Sequence, residues 1–135
     1  MFDGSSQADV VDGGSGLDVL YGRAGAYVLA GGNGADWLQG GTGADQFDYN
    51  SLIDSTVNGQ DYIADFKTAD GDKIDFHDAF AGLGTATFNS GFGAGSSVYT
   101  FAQGGHTLVQ VYEGTTLDTQ IVVSQASLAA GGSIF

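Results

Sequence analysis

The sequence predicts an all-β protein, in which a parallel β-roll of nonapeptide repeats is continued and capped by an antiparallel β-sheet or sandwich. Two observations predict this fold. Near the N-terminus, a glycine-rich loop ending in aspartate and a short apolar stretch recur every nine residues. Towards the C-terminus, β-branched and aromatic segments alternate with glycine-rich turns, a pattern typical of antiparallel strands.

Five nine-residue units lie end to end over residues 4–48: GSSQADVVD, GGSGLDVLY, GRAGAYVLA, GGNGADWLQ and GGTGADQFD. The eighth position of the unit is apolar in every copy, as Val11, Leu20, Leu29, Leu38 and Phe47. The glycines permit the positive φ angles of a tight turn, and positions seven to nine predict a very short strand with its middle side chain inward. One such strand cannot bury its face alone, so the repeat predicts a stacked solenoid.

Stacking brings the sixth positions of the repeats together on each side of the roll. If each unit is half a coil, repeats two apart share a side, so Asp18 stacks on Asp36, whereas Asp9, Tyr27 and Asp45 share the other side. Aspartates beside turn carbonyls form an oxygen-only cage, which suits calcium better than magnesium or zinc. The alternative is that these aspartates only cap turns.

The charge of the chain limits its partners. Sixteen acidic residues face three basic ones in 135 residues, and fifteen of the acids are Asp. This balance argues against nucleic acids and anionic membranes as partners, because both require basic surfaces. Cysteine is absent, which excludes disulfides and thiolate metal sites, and no apolar run approaches the length of a membrane span.

The motif Gly-Gly-x-Gly-x-Asp appears in full three times, ending at Asp18, Asp36 and Asp45, and it resembles the repeat of the repeats-in-toxin (RTX) family. The resemblance implies a β-roll with Ca2+ between successive turns on each side. The implied ligands are side chains of Asp9, Asp18, Asp36 and Asp45 and carbonyls of Gly14, Gly16, Gly31, Gly32, Gly34, Gly41 and Gly43. Repeats one and three depart from the motif, so one complete site is expected, formed by Asp18 and Asp36. Sites that use Asp9 or Asp45 are expected to be weaker, completed by water or absent.

Beyond residue 48 the nonapeptide register stops, and residues 49–135 predict an antiparallel cap with its own core. Strands are predicted at 62–66, 73–76, 85–88, 97–101, 106–113 and 119–125, and one helical turn at 126–131. The segments DS (54–55), DYIADF (61–66) and GDKIDF (71–76) resemble the region after the repeats in serralysin-type metalloproteases, RTX lipases and R-modules of mannuronan C5-epimerases. The resemblance implies that this sheet caps the roll as one module. Asp61, with Asp54 and Asp65, is expected to hold a further ion or else to cap turns.

The predicted function is calcium binding coupled to folding, and no enzyme is predicted. His77 and His106 lie in unrelated segments without HExxH spacing, and no Gly-x-Ser-x-Gly elbow occurs. The resemblance implies the C-terminal, monomeric part of an extracellular bacterial protein. Its partners would be the type I secretion machinery and an attached catalytic or adhesive domain. The alternative is an R-module that binds an alginate-type polysaccharide, with Trp37 facing outward. The net charge of −13 opposes that alternative unless calcium bridges the two anions.

Overall fold

The computed structural model describes residues 1–76, 78–79, 87–88, 96–113 and 115–124. These residues form an all-β structure, as predicted, and the structure has fourteen strands in the described residues. The strands are β1 (Phe2–Asp3), β2 (Val10–Asp12), β3 (Ser15–Gly16), β4 (Val19–Tyr21), β5 (Val28–Ala30), β6 (Asn33–Gly34), β7 (Trp37–Gln39), β8 (Gln46–Asp48), β9 (Asp61–Ile63), β10 (Lys73–Asp75), β11 (Thr87–Phe88), β12 (Ser96–Gln103), β13 (His106–Glu113) and β14 (Thr116–Val123). His77, the start of the strand predicted at 85–88 and the helical turn predicted at 126–131 lie outside the described residues. In the described part of the chain, no helix is long and apolar enough to cross a membrane.

The three-residue strands of the repeats form two parallel stacks on opposite sides of a roll. One stack has the order β1-β4-β7-β9 and the other the order β2-β5-β8-β10. Leu20 lies opposite Leu38, and Leu29 lies opposite Phe47. These partners are two repeats apart, so the prediction that each unit is half a coil is confirmed. All five apolar side chains at the eighth position are buried in the roll.

The loops between the strands stack directly on one another, and this closeness requires glycine. Gly32 has a φ of 85°, and a Cβ added to it would overlap the carbonyl oxygen of Gly14 in the loop two repeats earlier. Gly14 also has a positive φ, of 91°, but a Cβ there would meet no atom within 4 Å. The loop glycines therefore serve two purposes, the turn conformation at both positions and close backbone packing at Gly32.

The parallel stacking continues beyond Asp48, where the nonapeptide register has already ended. Strand β9 pairs with β7 and places Tyr62 opposite Trp37. Strand β10 pairs with β8 and places Lys73 opposite Gln46. The segment between β7 and β9 and the segment between β8 and β10 are each longer than the corresponding segment within the repeats. Even so, the sequence at β9 and β10 carries the pattern Asp-x-apolar that occupies positions six to eight of the regular unit. Beyond the repeats, β9 and β10 therefore each add one layer to the roll, one to each stack.

The cap is built from β12, β13 and β14, which pair antiparallel. Strand β14 then pairs in parallel with β9, with Ile121 opposite Asp61 and Val123 opposite Ile63. Because cap and roll share one eight-stranded sheet, their inward side chains meet, and a single hydrophobic cluster runs from Val11 to Val123. The prediction of a separate core for the cap is therefore wrong.

Two alanine substitutions separate the two roles of the loop glycines. Gly14→Ala is expected to lower the free energy of unfolding by about 1–2 kcal/mol, because only the positive φ disfavours a side chain there. Gly32→Ala adds a collision with the Gly14 carbonyl to a similar φ penalty, so its loss is expected to be clearly larger. Urea unfolding at saturating calcium measures both variants, and equal losses would contradict the role of close loop packing.

Candidate metal centre

The sixth positions of the repeats form two columns of side chains, one along each edge of the roll. The column of the first edge, called here the Asp36 edge, contains Asp18, Asp36 and Asp61. The column of the second edge, called here the Asp45 edge, contains Asp9, Tyr27, Asp45 and Asp72. These columns follow from the strand registers, because each of these residues immediately precedes a strand of its stack, except Asp61, which is the first residue of β9.

Each column is connected by hydrogen bonds from the backbone of one layer to the carboxylate of the next. On the Asp36 edge, the N–H of Asp18 donates to Asp36 Oδ1 at 2.8 Å, and the N–H of Asp36 donates to Asp61 Oδ1 at 2.9 Å. On the Asp45 edge, the N–H of Tyr27 donates to Asp45 Oδ1 at 2.9 Å, and that of Asp45 donates to Asp72 Oδ1 at 3.0 Å. One carboxylate oxygen of Asp36, Asp61, Asp45 and Asp72 thus has a fixed structural role.

The second oxygen of three of these carboxylates has no partner. Oδ2 of Asp36, of Asp45 and of Asp61 is inaccessible to solvent and makes no hydrogen bond. The three side chains are only 2%, 1% and 0% exposed. A buried carboxylate oxygen without a partner is strongly unfavourable, and a bound cation removes that penalty. These residues therefore fit a divalent metal ion.

Burial also changes the protonation of the same residues. Desolvation raises the pKa of Asp36 and Asp45, and it raises the pKa of Asp61 to about 8. The negative charges of Asp36 and Asp54 add to the effect on Asp61. Desolvation likewise raises the pKa of Asp72 to about 6. A divalent cation beside these carboxylates would favour their ionised form and oppose the shift.

The carboxylates alone do not complete a coordination shell. Among the described residues, no three side chains of His, Cys, Asp or Glu are grouped so that they could hold a metal ion. Backbone carbonyls must therefore provide part of the shell, which matches the oxygen-rich coordination of calcium. The donor set holds no Cys and no His within these loops, so zinc is a poor fit.

The glycines predicted as ligands lie in the loops that stack beside the aspartates. Loop 13–18 packs on loop 31–36, with the carbonyls of Gly14 and Gly16 against Gly32 and Gly34. The Gly14 carbonyl accepts the N–H of Asn33 at 2.8 Å. A Cβ on Gly31 would collide with the Asp36 carboxylate, so a side chain at this position would displace Asp36. The structure thus brings together Asp18, Asp36 and these five glycines.

The predicted ligands of the Asp45 edge are placed differently. Gly41 and Gly43 pack on the carbonyls of Arg23 and Gly25 and lie in the same loop as Asp45. Asp9 is exposed and lies on the far side of Tyr27 from Asp45. Asp9 and Asp45 are therefore not adjacent in the column.

The carboxylates around the junction of roll and cap do not form one group. Asp54 accepts the N–H groups of Asn50 and Ser51 and lies close enough to Asp36 and Asp61 to raise their pKa values. Asp65 instead accepts the N–H groups of Gly40 and Gly41, at 3.0 and 2.8 Å. Since those glycines belong to the Asp45 edge, the expected grouping of Asp65 with Asp54 and Asp61 is wrong.

Two buried residues of the site were missed from the sequence. Asp72 occupies the sixth-position role above Asp45, and its Oδ2 accepts the N–H of Lys67 at 2.8 Å. The Asp-x-apolar pattern of Asp72, Lys73 and Ile74 is the signal that identifies it. Tyr49 is buried beside Asp61, and desolvation together with the Asp61 charge raises its pKa. No sequence pattern distinguishes Tyr49 from other core aromatics.

Residues 7–126 match the family described as peptidase M10 serralysin C terminal. Among solved structures, the chain is similar to the AlgE6R3 subunit from the Azotobacter vinelandii mannuronan C5-epimerase, with a TM-score of 0.73 and 30% identity over 98% of this chain and 75% of that chain. It is also similar to the AlgE6R2 subunit of the same epimerase, with a TM-score of 0.67 and 27% identity over 99% of this chain and 91% of that chain. No curated protein matches the chain significantly.

The raised pKa of Asp61 predicts how stability depends on pH without calcium. The folded-state pKa of about 8 exceeds the unfolded value of about 3.9, so the folded state binds more protons between them. Stability in calcium-free buffer is therefore expected to fall as the pH rises from about 4 to about 8. Circular dichroism in chelator measures the effect, since the folded fraction is expected to grow as the pH falls through this range, and Asp61→Asn is the control expected to reduce the slope. A calcium-free stability that rises over the same range would contradict the assignment.

Proposed function

Because the chain belongs to the peptidase M10 serralysin C-terminal family, we propose that it is an RTX β-roll module that folds when calcium binds between its turns. The observation that carries the proposal is the set of buried carboxylate oxygens without partners on Asp36, Asp45 and Asp61. Calcium supplies the missing partner, because it takes six to eight oxygens in flexible geometry, including backbone carbonyls. The RTX and R-module families are calcium binders.

The same aspartates that pair with the backbone would also bind the ion, so calcium binding and folding of the roll are coupled. Oδ1 of Asp36 already connects two layers through the N–H of Asp18, whereas its Oδ2 is left for the cation. Without the ion, closing these layers buries charged carboxylates or forces them to bind protons. With calcium at ten times its dissociation constant, each site contributes about 1.4 kcal/mol to the folded state. The roll therefore becomes stable only above a threshold of free calcium.

The proposed biological role follows from where calcium is abundant. Cytosolic calcium is low, so the chain stays unfolded and competent for export, and extracellular calcium closes the roll. The family is that of a C-terminal domain attached to a larger protein, and its serralysin and epimerase members are secreted. We place this module in a protein exported by a type I machinery, where it assists secretion and extracellular folding of the attached domain.

The repeats (residues 4–48), the two further roll strands β9 and β10, and the cap strands β12, β13 and β14 are proposed to fold as one module. The shared sheet and the continuous cluster from Val11 to Val123 support this, because the cap covers apolar side chains that the last layer of the roll would expose. The module itself is proposed to be non-catalytic, in line with the matched serralysin C-terminal and R-modules.

Polysaccharide binding is the second candidate function, and a row of outward side chains favours it. Six adjacent strands place one side chain each in a single register row on the face opposite the core. Members of the row are Val19, Trp37, Tyr62, Val122, Leu108 and Phe101. Six strands span about 24 Å, and the rings of Trp37 and Tyr62 lie with centroids 4.7 Å apart. A row of this kind is suited to stacking against sugar rings.

The charge of the chain shapes this second candidate. None of the six side chains of the row is charged, although the chain carries a net charge of −13. A neutral glycan would meet no repulsion at the row, whereas alginate is itself anionic and would need bridging calcium. Because the chain is similar to epimerase R-modules, the binding experiment includes alginate beside a neutral glycan.

Calcium dependence is tested by calorimetric titration and circular dichroism of the chain and of Asp36→Asn. The asparagine retains an oxygen that can accept the Asp18 N–H but removes the charged, unpartnered Oδ2. The variant is expected to lose one calcium ion and to need more calcium to fold. Asp12→Asn is the matched control, because Asp12 also accepts a backbone N–H but is exposed. A chain fully folded in chelator, with no heat of calcium binding, would sink the proposal.

Glycan binding is tested through Trp37, whose emission is unambiguous because it is the only tryptophan of the chain. Titration with a neutral β-glucan or with alginate in calcium is expected to change the emission, and Tyr62→Ala should weaken binding at least several-fold. Leu17→Ala is the control, since Leu17 is exposed and apolar but lies outside the row. An unchanged emission, together with no retardation in gels containing either polymer, rules out this candidate.

A further inference from the structure

Tyr27 occupies the one sixth position of the repeats that lacks aspartate, yet its backbone joins the hydrogen-bonded column. Its N–H donates to Asp45 Oδ1, as the N–H of Asp18 donates to Asp36 Oδ1. The Tyr27 side chain is fully buried. Loop 22–27 therefore has the same place in its stack as an aspartate-bearing loop, and at the sixth position only the side chain differs.

The phenol ring of Tyr27 lies between loop 22–27 and loop 4–9. Its Cγ and Cδ2 atoms are 3.0 Å from the position that a Cβ on Gly22 would occupy, and Oη is 2.8 Å from the corresponding position on Gly4. Oη accepts a hydrogen bond of 2.8 Å from the N–H of Ser5. One side chain thus connects its own loop to the loop two repeats earlier.

Asp36 has the corresponding place on the other edge, and its side chain makes no such connection through Oδ2. The Asp36 carboxylate packs over Gly31, the counterpart of Gly22, but its Oδ2 reaches no partner. A carboxylate is shorter than a phenol, so Asp36 needs a bound ion to connect its loop to the neighbouring loop, whereas Tyr27 reaches that loop directly. The phenol therefore corresponds to a carboxylate together with a bound ion.

The other departures from the repeat motif lie in the same two loops. Ser5 and Gln7 replace glycines in loop 4–9, and Arg23 replaces a glycine in loop 22–27. Arg23 adopts a φ of 78°, and its guanidinium pairs with Asp3 of β1, next to loop 4–9. Loops 4–9 and 22–27, between which Tyr27 lies, are thus the loops in which motif glycines are replaced. The Arg23–Asp3 pair adds a second direct side-chain contact beside them.

We propose that Tyr27 takes the place of a calcium ion between loops 4–9 and 22–27, so that protein contacts alone close this layer. The inference rests on the proposed calcium sites in the other layers. Calcium then binds beside Asp36, Asp45 and Asp61, and Asp9 is not a ligand. The two edges of the roll differ in consequence, because the first layer of the Asp45 edge forms without an ion.

Restoring aspartate at this position tests the inference. Native mass spectrometry and calorimetry at saturating calcium count the ions bound to the unaltered chain, to Tyr27→Asp and to Thr42→Asp. Tyr27→Asp is expected to bind one ion more, because it adds a carboxylate to the layer that contains Asp9. Its stability should also depend on free calcium with a slope greater by one ion. Thr42→Asp adds the same charge to an exposed position of the same edge and should leave the count unchanged.

Tyr27→Phe gives an independent measurement, since it keeps the ring and removes only the Oη contact with the Ser5 N–H. This variant is expected to retain the ion count and to lose the same stability at every calcium concentration. A changed count in Tyr27→Phe overturns the inference. So does an unchanged count in Tyr27→Asp, or its failure to fold at saturating calcium. If the unaltered chain binds no calcium, the proposed function fails as well, whereas an unchanged count in Tyr27→Asp alone rejects only the role of Tyr27.

Discussion

The fold depends on aspartates that are buried with one oxygen paired and the other left without a partner. Oδ1 of Asp36 connects two layers of the roll through a backbone N–H, and Asp61 repeats this arrangement one layer further. Their Oδ2 atoms lie in the same protein interior without a hydrogen bond. The same carboxylates thus hold two layers together through Oδ1 and leave a negative charge without a partner at Oδ2. A cation bound at Oδ2 would therefore stabilise the hydrogen bond that Oδ1 accepts from the neighbouring layer.

Glycine and aspartate depend on one another in this arrangement. The carboxylate of Asp36 lies so close to Gly31 that a side chain there would displace it, and Gly32 packs against the carbonyl of the preceding layer. A loop with side chains at these positions would separate the layers and expose the carboxylate to water. The repeat motif therefore describes a packing requirement together with the proposed ion site. In the layer between loops 4–9 and 22–27, the proposed role of Tyr27 is to fill the space of that ion with one large side chain.

The cap is part of the same structure, because β14 extends the sheet of the roll through its parallel pairing with β9. Their inward side chains Ile121, Val123 and Ile63 belong to one cluster with those of the repeats. With this joint, the calcium binding proposed for the roll would stabilise the whole module. On the opposite face, the uncharged row that includes Trp37 and Tyr62 gives the module a surface unlike its acidic loops.

The sequence by itself determined the repeating part of the protein. A nine-residue period with an invariant apolar position dictates stacked strands, since only stacking buries side chains on strands of three residues. The same period set the pairing of Asp18 with Asp36 and pointed to an oxygen-binding cation. These features are local or periodic, so they can be read from the order of residues.

Only the tertiary structure decided the features that depend on distant segments. The roles of Asp61 and Asp72 required the registers of β9 and β10, which insertions of irregular length separate from the repeats. The grouping of Asp65 with Asp61 failed because Asp65 contacts Gly40 and Gly41 of the Asp45 edge, although Asp61, four residues away in sequence, lies on the Asp36 edge. The shared core was missed because β14 reaches β9 across almost sixty residues, and no short-range pattern encodes such a pairing. Sequence periodicity specifies contacts at constant spacing, whereas these contacts follow from the path of the chain in space.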